Sequence, residues 1–115
     1  MSGRPRYPKP DSNNAIVIRA LEDLGGYVRV DAARLRYTIM LRGMCLTALN
    51  ISSMPGQTDW IILCDAGWFL SVEVKEPGKE NNLTAGEQTW AEDVGLVVAS
   101  NADTVRYAIL ERMAE

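Results

Sequence analysis

The sequence predicts an α/β domain in which helices flank a central mixed sheet. Three observations carry that prediction. Ile16, Val17, Ala20, Leu21 and Leu24 recur at helical spacing. Two apolar runs, Thr58 to Cys64 and Trp68 to Lys75, are separated only by Asp65-Ala66-Gly67, as in a β-hairpin. Thr84, with Glu87 three residues later, forms a capping box ahead of a second helical stretch.

The elements follow in order. Residues 1–11 hold three prolines and three basic residues and read as a flexible basic arm; 12–115 then form one domain. Ser12 or Asn13 caps a helix that runs to Leu24 and stops at Gly25-Gly26. Tyr27 to Val30 is β-branched and aromatic, so a strand is expected. Residues 31–55 are the least legible. Asp31 can cap a helix over Ala32 to Arg42 that ends at Gly43, or Tyr37 to Leu41 can be a strand; the reading leans to irregular structure with short strands. Ser52, Ser53, Pro55 and Gly56 mark a loop. After the hairpin, residues 76–83 are an exposed loop, and the helix opened by Thr84 runs to about Val94 and stops at Gly95. Leu96 to Ala99 is a short buried strand. Asn101 or Asp103 starts a last helix with Val105, Ala108, Ile109 and Met113 on one face.

Composition narrows the chemistry. A chain of 115 residues, 47% hydrophobic and 23% charged, supports one globular core. It has no histidine, so Ser-His-Asp and Cys-His catalysis and His-ligated zinc or haem are excluded. Cys45 and Cys64 stand apart among apolar residues and read as reduced thiols of a cytoplasmic protein. No apolar run approaches the length of a membrane span.

The hairpin is where chemistry gathers. With Asp65-Ala66-Gly67 as its loop, Cys64 opposes Trp68, Leu63 opposes Phe69, and Asp59 falls opposite Glu73. Opposed residues project from one face, and Lys75 shares that face two residues on. Two facing carboxylates repel unless a cation lies between them, and Mg²⁺ takes few carboxylates and keeps several waters. The backbone carbonyl of Val74 is a further candidate ligand. With Lys75 orienting or deprotonating a metal-activated water, or neutralising developing charge, these are the parts of phosphodiester hydrolysis. The plainer alternative is a solvated pair of charges on a hairpin, with Asp59 capping a turn.

Pro55-Gly56-Gln57-Thr58-Asp59, an apolar strand, and Glu73-Val74-Lys75 resemble the PD-(D/E)xK nuclease signature. Glu76-Pro77-Gly78 follows the lysine, and Leu83-Thr84-Ala85-Gly86-Glu87-Gln88 opens the next helix. With Ala20-Leu21-Glu22-Asp23-Leu24-Gly25 closing the first helix, the layout over residues 13–112 is similar to the virus-type replication-repair nuclease (VRR-NUC) domain. The resemblance implies a restriction-endonuclease-like core and a nuclease dependent on Mg²⁺ or Mn²⁺. It implies Asp59 and Glu73 as metal ligands, Lys75 as the catalytic lysine, and Gln88 or Glu87 as the supporting polar residue. Stand-alone viral members are small dimers that cut branched DNA such as four-way (Holliday) junctions, so the resemblance also implies a DNA partner, a homodimer and a phage or bacterial role in replication or repair. Two positions depart from the pattern. The family often carries a glutamate near the start of its first helix that helps hold metal; here Asp11 is the acid in that region, with Glu22 as a weaker candidate. Thr58 stands where the family often has proline.

The net charge of −3 is the sum of two unlike halves. Residues 1–58 hold eight basic and four acidic residues; residues 59–115 hold four basic and eleven acidic. Arg29, Arg34, Arg36 and Arg42 lead into the hairpin and are candidate phosphate contacts, against the alternative of a solvated basic face. Met40, Leu41, Met44, Leu46 and Met54 are either a dimer surface or core. The competing function is a nuclease-like fold that binds DNA or a partner without cutting.

Overall fold

A computed structural model of the chain describes residues 14–24, 28–31, 36–51 and 58–115. The basic arm, Asp11, the Ser12 or Asn13 cap, the Gly25-Gly26 stop, Arg34, Met54 and Pro55 to Gln57 lie outside the described residues. The elements are α1 (Asn14–Asp23), β1 (Val28–Asp31), β2 (Arg36–Leu41), β3 (Met44–Asn50), β4 (Trp60–Cys64), β5 (Phe69–Val74), α2 (Ala85–Asp93), β6 (Val97–Ala99) and α3 (Ala102–Ala114). The strands form one mixed sheet in chain order, β1 to β6. Neighbours are antiparallel from β1 to β5, and β6 joins β5 in parallel after the α2 crossover.

The register sorts the side chains onto two faces. Tyr37, Ala48, Ile62 and Leu70 form one row across β2 to β5, and Trp60, Val72 and Val97 form another on the same face. This face packs on Val17, Ala20 and Leu21 of α1 and on Val105 and Ile109 of α3, all fully buried. Burying each large aliphatic here contributes about 1.5–3 kcal/mol, which makes this layer the stabilising core. Trp60, 1% exposed, sits at its centre, with the Tyr37 ring 5.6 Å away and tilted. Asn101 caps α3 by accepting from the Thr104 N–H at 2.9 Å, and Arg106 ties α3 to α1 through Asp23 at 3.5 Å. Among the described residues no helix is long and apolar enough to cross a membrane.

Over 36–50 the helical alternative and the expected irregular structure give way to a regular hairpin of six- and seven-residue strands, with Tyr37 to Leu41 in the strand that is the other alternative. Residues 32–35 and 52–55 lie outside the described residues. Its turn is Arg42-Gly43, with φ of 52° and 80°. Two successive positive φ values are what a tight hairpin of this twist requires. Gly43 therefore reverses a strand and does not stop a helix. Leu46 is core, Leu41 and Met44 pack against it, and Met40 points outward at 53% exposure.

Candidate active site

Asp65 to Gly67 closes the β4–β5 hairpin in the expected register: Leu63 pairs with Phe69 and Trp60 with Val72. Carrying that register one step further sets Asp59 opposite Glu73. The ladder ends at Trp60, and beyond it two side chains hold the strands together. The Thr58 hydroxyl donates to the Val72 carbonyl at 2.7 Å, and the Asp59 carboxylate (Oδ2) accepts from the Val74 N–H at 2.8 Å. Thr58, 1% exposed, is thus a buried clamp that positions Asp59. A hydroxyl at position 58 can make this bond and a proline cannot.

Glu73 is 5% exposed on the face opposite the core, and its Oε1 has no hydrogen-bond partner. Burial pushes its carboxyl up to about 9, reinforced by hydrogen bonding and charge from Asp59 and then from Glu87. Two acidic side chains therefore press on one buried carboxyl.

Lys75 continues the same face. Its N–H donates to the Ala99 carbonyl on β6 at 2.9 Å, and its Nζ lies 2.9 Å from Oε1 of Glu87. Glu87 is held from its own helix: the same Oε1 accepts from the Thr84 N–H at 2.8 Å, and the Thr84 hydroxyl caps the Glu87 N–H in return. The capping box thus starts α2 and also aims a carboxylate at the lysine. Hydrogen bonding to Glu87 raises the Lys75 ammonium above its ordinary range, although partial burial opposes it. Burial is the largest influence on Glu87 and acts upward, but Lys75 and the Thr84 amide together hold it below the ordinary carboxylate range. This ion pair is charged at neutral pH.

Of the two α2 candidates, Glu87 is the one that reaches Lys75; Gln88, expected in the supporting role, does not. One residue further along a helix is a rotation of about 100°, which turns Gln88 to solvent. There it donates to Glu92 at 3.1 Å.

Among the described residues, Arg36 and Arg42 stand at opposite ends of β2. Arg36 is exposed at the end of the sheet that carries Asp59 and Glu73, and in the same row as Leu49, Ile61 and Ser71 it shares the face of Glu73. Three strand spacings separate it from β5, roughly 14 Å. Arg42 lies at the opposite end of β2, roughly 20 Å away. Arg29 occupies a mid-strand position opposite Thr38.

The donor set suits a small hard cation. Glu73 offers an orphaned oxygen, Asp59 keeps Oδ1 beyond its bond to Val74, and the backbone of Val74 lies between. Among the described residues no three carboxylates or thiols converge on one point, and Glu87 is committed to Lys75. Two carboxylates with water in the remaining positions is a Mg²⁺ or Mn²⁺ arrangement. Comparison with protein-family models, curated proteins and solved structures gives no match.

Proposed function

We propose that this chain is a Mg²⁺- or Mn²⁺-dependent DNA endonuclease with a PD-(D/E)xK core of the VRR-NUC kind, acting on branched DNA as a homodimer in a phage or bacterial replication or repair role. The observation that carries the reading is the set Asp59, Glu73 and Lys75 on one hairpin, with Glu73 buried and one of its oxygens without a partner. A buried carboxyl left unsatisfied is costly, and a cation between it and Asp59 removes the cost.

Asp59, Glu73 and the Val74 carbonyl would hold the metal. When bound, it supplies an acidified water and neutralises charge on the phosphorane-like transition state. The protein's own groups do the rest. The Asp59 carboxylate is held in place by the Val74 N–H. Glu73 would give up its proton on becoming a ligand, so occupancy of the site would rise with pH. Lys75 is kept charged by Glu87, which suits it to stabilising negative charge on a non-bridging phosphate oxygen and not to accepting a proton. Arg36 stands at the same end of the sheet for a flanking phosphate.

The test is cleavage of labelled four-way, flap and linear duplex DNA with Mn²⁺ or Mg²⁺, beside Glu73→Ala and Lys75→Ala. Metal-dependent cutting of the branched substrates that both substitutions remove is the expected result. Binding without cutting by the unmutated chain favours a DNA-binding module, and cutting that survives both substitutions overturns the site.

A further inference from the structure

The helix that aims Glu87 at Lys75 has little to hold it down. No residue of α2 is fully buried. Glu87, Trp90 and Ala91 are partly covered, whereas Gln88, Thr89, Glu92 and Asp93 are exposed. Positions 87, 90 and 91 share one side of a helix, so this is the side turned to the sheet. Glu87 stands at the Lys75 end of β5. A helix joining two parallel neighbours runs back along them, so passing from Glu87 to Trp90 retraces β5 from Glu73 towards Ser71. That is about 4.5 Å along the helix against roughly 7 Å along the strand, a difference that an indole spans. Burial agrees. Leu63 and Phe69 on this face are 42% and 44% exposed, but Ser71 is 3% exposed. α2 therefore covers β5 from Ser71 onward, and Trp90 is the bulkiest group it brings.

Two polar atoms in this layer are fully enclosed and have no hydrogen-bond partner: the Ser71 hydroxyl and the Trp90 indole N–H. Buried polar atoms are nearly always satisfied, so one on each side of a helix–strand contact calls for a bridge. The surroundings select the bridging group. The indole N–H is a donor, which excludes a metal ion. Asp59 and Glu87 crowd Glu73 beside it, which excludes an anion. Enclosure excludes anything larger than a water, and a water can accept from the indole and donate to the hydroxyl. We propose that one internal water bridges Ser71 on β5 to Trp90 on α2, which makes both of them positioning residues for Glu87. The Lys75 ion pair pins the start of α2 and the water pins its middle, so the helix resists rolling and Glu87 stays on Lys75. The water is independent of the nuclease reading; its value to chemistry at Lys75 rests on that reading.

The test is NMR of the ¹⁵N-labelled full chain in chelated buffer, with the indole signal assigned by Trp90→Phe. The expected result is a rotating-frame cross-peak between the Trp90 indole N–H and a long-lived water. Ser71→Ala removes that cross-peak, lowers Tm, shifts the Lys75 ¹⁵Nζ signal toward that of a free lysine, and speeds hydrogen exchange of the α2 amides roughly five-fold. A hydroxyl that is merely unsatisfied predicts the opposite sign, because its removal raises Tm. The double variant exchanges no faster than Trp90→Phe alone, since losing either partner already loses the water. The proposal is overturned if the indole meets no bound water, if Ser71→Ala raises Tm or leaves it unchanged, or if the two substitutions act additively. The water signature in a chain that binds no Mn²⁺ upholds the bridge and removes the metal reading; Mn²⁺ binding without the signature does the reverse.

Discussion

The two faces of the sheet obey different rules. On the face toward α1 and α3, Ile39, Leu46, Ile62 and Val72 are fully buried among apolar partners. The opposite face keeps Met40, Leu63 and Phe69 exposed, and it carries Glu73 and Ser71 with buried polar atoms unpaired. The packed face is a layer of apolar side chains. The other holds charges and donors at a cost that folding alone does not require, and such imbalance is characteristic of sites built for a ligand.

The contrast can be broken first at its strongest point. Trp60→Ala empties the centre of the packed face and costs about 3–5 kcal/mol, whereas Leu63→Ala on the other face costs under about 1 kcal/mol. Denaturant unfolding of both variants measures the gap. Next, Lys75→Ala is expected to lower DNA cleavage about 10²–10³-fold with little change in melting temperature, which separates function from stability on the same face.

Glu73→Gln sharpens the comparison through pH. The folded carboxyl keeps its proton up to about 9, while the unfolded chain releases it near 4.5. The stability linked to this group is therefore full below 4.5 and drains as pH rises toward 9. The amide has no proton to lose, so the variant is expected to melt about 5 °C above the parent at pH 8 and level with it at pH 4.5. Thermal scans across that range check the sign. The smallest effect separates neighbours on α2. Glu87→Ala loses a cap contact and the lysine's partner, about 1 kcal/mol, while Gln88→Ala stays within about 0.5 kcal/mol.

What the sequence made legible follows the same division. The Asp59–Glu73–Lys75 grouping was readable because two apolar strands with a three-residue loop permit few registers. The β2–β3 hairpin was not. Met40, Cys45 and Leu49 put apolar groups on its outer face among Arg36, Thr38 and Thr47, which blurs the polar alternation, and Arg42-Gly43 is a less familiar turn than Asn-Gly. The capping box at Thr84 was readable, but not that one oxygen of Glu87 serves both the cap and Lys75, because that depends on where α2 docks. Thr58 as a clamp was hidden for the same reason: its partner is a backbone carbonyl fourteen residues away.

The central claim is that the unpaired face holds a divalent cation at Asp59 and Glu73, and calorimetric titration with Mn²⁺ at pH 7.5 tests it most directly. Run in buffers of different ionisation enthalpy, the titration counts protons released on binding. The account predicts saturable binding with about one proton released by the parent chain, and weaker binding with none released by Glu73→Gln. No binding by the parent, or equally tight binding without a change in proton release in the variant, would contradict it.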